Sequence, residues 1–222
     1  MKLERVSEHI WSVSAWVLIP VRVWLVRDGD GVTLVDAGLS FMKRGIFRAI
    51  RGLDTGPLQR ILLTHGHADH VGALAGIVAE APVPVYAHRV ELPYMEGAAP
   101  YPRRRKAKAS VRTGLVQPLP EDAEGNLLAV AGLTPYWTPG HSPGHVVYYH
   151  EQDKVLLGGD LAMTKGGQLR PPMAMFTGDM DQALRSLQIL RRLDVRRLEV
   201  CHAAPIERPA EQLEAALLRR VG

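Results

Sequence analysis

Several things are scarce in this 222-residue sequence, and each scarcity excludes something. There is one cysteine, Cys201, so no internal disulfide framework can form and a thiolate-rich structural zinc site is ruled out; the usage fits a reducing cytosol, and a cytoplasmic location is expected. No long uninterrupted apolar run occurs. The most apolar N-terminal stretch, Trp11 to Val26, contains Pro20 and Arg22 and lacks a signal-peptide cleavage pattern, so strands are expected there and no membrane anchor. Charge of one sign is also scarce: 27 Lys and Arg face 23 Asp and Glu, a net charge of +4, with the basic excess concentrated in Arg103 to Lys108 and in the C-terminal third. No aromatic interleaving or binding module accompanies that excess, which argues against a nucleic-acid partner. Internal repeats are absent, which excludes a solenoid. What remains, 46% apolar and 23% charged residues, is ordinary for a globular protein, and the length fits one large α/β domain over 1–222.

The chain opens with β-rich runs, roughly Ile10 to Leu18, Val21 to Arg27 and Val32 to Asp36, the last two joined by the turn Asp28-Gly29-Asp30-Gly31. Helical spacing through Ile46, Phe47 and Ile50 follows and is closed by Gly52 to Pro57. Ile61 to Leu63 reads as a short strand, Val71 to Ala79 as a helix, Val83 to Tyr86 as a buried strand and Arg89 to Glu96 as a short helix. From Gly97 to Asn126, Pro, Gly and basic residues recur without periodicity, the composition of an irregular insertion or lid. Strands are expected again at Leu127 to Ala131, Leu133 to Thr138, Val146 to Tyr149 and Val155 to Leu157. A helix over Gln182 to Arg192 with Asp181 as N-cap, a strand at Leu198 to Cys201 and a helix over Glu211 to Arg220 complete the pattern.

The chemistry concentrates between a strand and a helix, in His65-Gly66-His67-Ala68-Asp69-His70. Four imidazole or carboxylate groups within six residues would repel and desolvate one another without a cation, and their donor atoms suit Zn, Mn, Fe or Co. One loop cannot close two metal sites. Three further segments end apolar strands with ligand-type residues: Thr138-Pro139-Gly140-His141-Ser142-Pro143-Gly144-His145, Leu156-Leu157-Gly158-Gly159-Asp160, and Val200-Cys201-His202. Cys201 neighbours a ligand candidate, but strand alternation predicts that it points away into the core. Trp11, Trp16, Trp24 and Trp137 read as core and sheet-face packing.

In this order of residues the chain resembles the metallo-β-lactamase superfamily, whose hallmark is His-x-His-x-Asp-His followed by separate His, Asp and His ligands. The likeness covers nearly the whole chain and implies an α/β fold, the four-layered αβ/βα sandwich of that family. It implies that His65, His67 and His141 hold one metal, that Asp69, His70 and His202 hold the other, and that Asp160 bridges both. Asp36, in Leu34-Val35-Asp36-Ala37-Gly38, would steady the metal loop from outside. Oxygen rather than Cys at the bridging position sets the chain apart from dedicated zinc β-lactamases. The Thr-Pro-Gly-His-x-Pro-Gly-His motif is shared with glyoxalase II enzymes, although their helical substrate domain has no counterpart within these residues.

The expected activity is that of a binuclear metallohydrolase, with two divalent ions, zinc first and Mn or Fe as alternatives, sharing a hydroxide that attacks a small ester, thioester, lactone or phosphoester. Asp69 would orient that nucleophile and accept its proton, and His145 would supply a substrate-side hydrogen bond or proton relay. The basic run at Arg103 to Lys108 would steer an anionic small-molecule substrate; oligomeric state stays open. Two alternatives stand beside this reading: a mononuclear iron oxidoreductase of the persulfide dioxygenase kind, using residues that match His65, His141 and Asp160, and a non-catalytic, metal-stabilised binding module.

Overall fold

The computed structural model describes residues 1–218. Its first half is built by β1 (Lys2–Arg5), β2 (Ile10–Trp16), β3 (Pro20–Asp28), β4 (Gly31–Val35), α1 (Lys43–Leu53), β5 (Leu58–Leu62), α2 (Ala68–Val71), α3 (Leu74–Glu80), β6 (Val85–Ala87), α4 (Leu92–Met95) and β7 (Gln117–Pro118). The second half adds β8 (Leu133–Trp137), β9 (Val146–His150), β10 (Val155–Leu157), the ribbon β11 (Met163–Lys165) and β12 (Gln168–Arg170), α5 (Met180–Ser186), α6 (Ile189–Arg192), β13 (Arg197–Glu199), β14 (Ile206–Glu207) and α7 (Leu213–Leu218). One sheet runs β1-β2-β3-β4-β5-β6-β7 and the other β14-β13-β10-β9-β8.

Apolar patterning explains the layers. β3 and β4 are buried along most of their length, as strands covered on both faces must be, and the inner core joins Trp24, Leu34 and Ile61 of the first sheet to Val146, Tyr148 and Leu157 of the second. On the first sheet's far side, α1 buries Ile46, Ala49 and Ile50, one face of a helix at its own period, and Asp54 in the left-handed region (φ 49) ends it. A second core, including Val147, Tyr149 and Leu156, lies beneath Leu187, Leu190 and Leu213 of the C-terminal helical segments. The result is helix, sheet, sheet, helix: the four layers expected. A clasp outside the cores ties the β1–β2 turn to the β9–β10 turn, where Asp153 accepts from the His9 backbone N–H (3.0 Å) and lies 2.8 Å from His9 Nδ1.

Strand direction places the chemistry. β4, β5 and β6 are mutually parallel; β8 and β10 both run antiparallel to β9, and β13 runs parallel to β10. Within each sheet, therefore, the strands that precede the motif loops end on the same edge, where α/β proteins gather ligand-binding loops.

Some elements depart from the sequence expectation. Residues 127–131 form no strand, only isolated bridges (Glu121↔Leu127, Val130↔Leu133), because no neighbouring strand offers them a ladder. The helix expected over 182–192 breaks into α5 and α6, and its N-cap is Asp179, not Asp181: Asp179 is extended (φ −136, ψ 104) and accepts from the Gln182 N–H, whereas Asp181 lies in the first turn. β1 and the β11–β12 ribbon were not expected; β1 is a mostly exposed edge strand with no apolar alternation to announce it. The last helix begins at Leu213 after a 3-10 turn over Pro209–Gln212, and residues 219–220 of its expected span lie outside the described residues.

Candidate metal centre

The loop after β5 is held open by a residue in an unusual conformation. Asp36, directly after β4, has φ 60, a left-handed geometry that costs a non-glycine residue on the order of 1 kcal/mol or more. In exchange its carboxylate reaches across to the neighbouring strand end. Oδ1 accepts from the Thr64 backbone N–H (2.8 Å), and Oδ2 accepts from the Thr64 hydroxyl and from His70 Nδ1 (2.8 Å each). Because His70 donates through Nδ1, its Nε2 carries the lone pair and points inward. His202 is set in the same way, with Nδ1 donating to the Pro20 carbonyl at 3.0 Å. His65 Nδ1 lies 3.1 Å from the Thr64 hydroxyl oxygen, which leaves its Nε2 inward.

All seven residues expected as ligands come together, in two groups. Nδ1 of His67 lies 3.0 Å from Nε2 of His65 and 3.0 Å from Nε2 of His141. In the second group, Nε2 of His202 is 3.1 Å from Asp69 Oδ2, which in turn is 4.0 Å from His70 Nε2. Asp160 stands between them. Its Oδ2 is 3.3 Å from His141 Nε2, and its Oδ1 is 3.4 Å from both His70 Nε2 and His202 Nε2.

The donor set fits divalent cations. His70 Nε2 and Asp160 Oδ1 are fully buried atoms with no hydrogen-bond partner, which is costly unless a cation faces them. Burial, reinforced by the neighbouring imidazoles, holds His65 well below the ordinary histidine range, and burial and His141 hold His67 at about 3, so both stay in the neutral form that binds metal. Burial also lowers His141. For Asp69 burial works against ionisation, but the bond from a protonated His202 and the positive charges of His70 and His202 together outweigh it and bring the carboxyl to about 2. Burial likewise opposes the charge of Asp160, and His70 and His141 hold it well below the usual carboxylate range.

Two residues depart from the expectation, the second only in part. His145 is completely buried: its Nε2 accepts from the Asp160 backbone N–H (3.2 Å) and its Nδ1 donates to Thr138 Oγ1 (2.9 Å). Neither nitrogen is free for a substrate, so the expected substrate-side hydrogen bond or proton relay is corrected to positioning of the Asp160 turn. Cys201 is fully buried in the inner core, as expected, but it also borders the centre. β13 ends at Glu199, strand alternation no longer applies, and Cys201 Sγ lies within 4.8 Å of ligand atoms of His70, Asp160 and His202. Of the four tryptophans, Trp24 is core and bonds Glu199 (3.2 Å), Trp11 is partly buried against the core, Trp137 is half exposed and stacks on His88, and Trp16 is largely exposed.

Sequence reasoning missed Glu91. Fully buried just before α4, it receives four hydrogen bonds: the Gly66 N–H (2.9 Å) and Tyr101 hydroxyl (2.7 Å) on Oε1, the Ser142 hydroxyl (2.9 Å) and Gly144 N–H (2.7 Å) on Oε2. Burial pushes its carboxyl up while these donors pull it back. One carboxylate thus joins both histidine loops to the 97–126 segment, whose Tyr101 ring packs edge-on against His67 at 4.8 Å. The only sequence sign is an acid between Val90 and Leu92, an apolar setting.

A family model described as the metallo-beta-lactamase superfamily matches residues 16–202. The probable metallo-hydrolase YybB of Bacillus subtilis (strain 168) is 39% identical over 197 residues, covering 87% of each chain. The hydroxyacylglutathione hydrolase of Bdellovibrio bacteriovorus is 29% identical over 147 residues, 65% of this chain, and the match spans only 48% of that enzyme. Among solved structures, TTHA1623 in a di-iron-bound form superimposes with a TM-score of 0.69 at 29% identity, over 92% of this chain and 96% of the other.

Proposed function

The chain belongs to the metallo-β-lactamase superfamily, and from that premise we propose that it is a hydrolase working with two divalent cations on a small ester, thioester, lactone or phosphoester. His65, His67 and His141 would hold one cation, Asp69, His70 and His202 the other, and Asp160 would face both. The observation that carries this reading is the splitting of the Asp160 carboxylate, one oxygen toward His141 and the other toward His70 and His202. A single iron on His65, His141 and Asp160 would leave Asp69, His70 and His202 assembled without a purpose, so the geometry favours two cations over the one-iron alternative. Zinc suits these donors; the di-iron relative keeps iron in consideration.

When bound, such cations would supply Lewis acidity and lower the pKa of water toward neutrality. The chain's residues do the rest. Asp69, the most accessible of the carboxylates at the centre, faces the pocket, so it would orient the attacking water and take up its proton. Asp36 and Pro20 fix the tautomers of His70 and His202, and His145 fixes the turn that carries Asp160. No helix among the described residues is long and apolar enough to cross a membrane.

Metal content tests the reading. Purified protein reconstituted with Zn or Mn is expected to hold two ions per chain and to lose hydrolysis on chelation; at most one ion per chain would count decisively against it.

A further inference from the structure

Around the proposed centre the surface is chemically two-sided. On one side is the tip of the β2–β3 hairpin, where Trp16, Val17 and Leu18 are 75%, 56% and 88% exposed in succession. Runs of large exposed side chains of this kind mark contact with an apolar ligand or partner. The next residue, Ile19, lines a pocket of about 290 Å³ with Met173 and Phe176, and the same pocket is floored by Asp69, Asp160 and His202. The exposed tip is therefore continuous with the centre.

On the other side lies a cavity of about 420 Å³ that shares His67 and Ala68 with the first. Arg104, Lys106 and Lys108 line it, and Arg104 reaches into both spaces. Among the described residues, none of these three cations has an acidic or hydrogen-bonding partner. Three unpaired cations in one cavity beside the proposed centre favour a ligand carrying negative charge.

We propose that the substrate is amphiphilic: an acyl ester or thioester whose apolar acyl chain lies along Ile19, Phe176 and the hairpin tip, and whose leaving group carries an anionic group held by Arg104, Lys106 and Lys108. This rests on the hydrolase reading above. The orientation follows from charge development. As the acyl carbon gains the oxygen of water, the carbon–sulfur or carbon–oxygen bond breaks with its electron pair on the departing atom, so the departing side is the one that cations stabilise. A carboxylate forms, one proton of the water ends on the thiol or alcohol and the other in solvent.

The experiment uses metal-loaded enzyme and eight thioesters: acetyl, butanoyl, hexanoyl and octanoyl on 2-mercaptoethanesulfonate, which is anionic, and on 2-mercaptoethanol, which is neutral. Thiol release gives kcat/KM. It is expected to rise with chain length in both series, by at most about fourfold per methylene, the equivalent of ~0.8 kcal/mol per buried CH₂. The sulfonate series is expected to exceed the neutral one by about tenfold, a ratio that shrinks with added salt. Leu18→Ser with Ile19→Ser should flatten the chain-length slope and keep the charge ratio; Arg104→Gln with Lys106→Gln should do the reverse, with circular dichroism and metal content confirming intact protein. Turnover with a flat chain-length series, or with equal rates on both thiols, overturns the proposal and leaves the hydrolase reading standing. No turnover on any of the eight by enzyme holding two metals overturns the proposal; the hydrolase reading falls with it only if a lactone and a phosphodiester are also left intact.

Discussion

Replacing Glu91 by Gln tests whether a residue that touches no proposed ligand side chain holds the centre together. The carboxylate has two oxygens, and each accepts one backbone N–H and one hydroxyl: Gly66 and Tyr101 on Oε1, Ser142 and Gly144 on Oε2. An amide keeps one oxygen and presents an NH₂ where the other was. The hydroxyl on that side can turn and accept from the NH₂, but the backbone N–H cannot. Whichever way the amide sits, either Gly66 N–H or Gly144 N–H is left facing a donor in a buried space. Losing a hydrogen bond to a charged acceptor costs about 1.5–3 kcal/mol, and an orphaned buried donor about 1–3 kcal/mol. Relief from burying a charge offsets part of this, because burial already pushes the Glu91 carboxyl up. A net loss of about 2–4 kcal/mol follows, a large share of the ~5–15 kcal/mol that stabilises a typical domain. Urea unfolding of the metal-loaded protein measures it, and metal titration of the folded fraction should show weakened binding, since Gly66 lies between His65 and His67 and Gly144 follows His141. A Glu91→Gln protein within ~0.5 kcal/mol of the parent, with unchanged metal affinity, would refute the reasoning.

Three further outcomes are expected. Asp160→Ala, which removes the carboxylate facing both groups, should hold at most one metal per chain by elemental analysis and lose hydrolysis by three orders of magnitude or more, about the loss of a principal catalytic interaction. Asp36→Asn replaces one acceptor oxygen with a donor beneath His70 and Thr64, so metal affinity should fall by about 10–100-fold in competition with a chelator while both sheets stay folded. His88 is held at about 4 by burial, below its unfolded value near 6.5. A histidine lowered in the folded state contributes stability that is full above about pH 6.5 and is lost as pH falls toward 4, because the unfolded chain takes up the proton first. His88→Gln should remove about one proton from the uptake on unfolding in that window, as read from urea melts across pH; an unchanged slope would contradict the assignment.

The metal loop was legible because its donors sit within six residues, and His141, Asp160 and His202 were legible because each closes an apolar run. The α/β order was readable for a similar reason, since β3, β4, β9 and β10 are buried along most of their length and their side chains announce it. What was not legible depends on contacts between distant segments. Glu91 draws its donors from residues 66, 101, 142 and 144, and nothing local distinguishes it from a surface acid. His145 resembles a free histidine in its motif, and only the fold shows both nitrogens committed. Cys201 was legible as a core residue, but its nearness to the centre was not, because a strand rule was extended past Glu199, where the strand stops. The stretch 127–131 has strand propensity but no partner, and propensity alone makes no ladder.

The division of the donors along the chain also sets an order of events during synthesis. Residues 65 to 70 leave the ribosome long before His141 and Asp160, and His202 comes last of the seven. The inner core joins both sheets, so the domain folds as a unit, and until the segment carrying His202 has emerged its Nε2 is missing from the second group. A nascent or truncated chain can hold a cation only weakly at that stage. Full loading of the second group would then report that translation has passed residue 202.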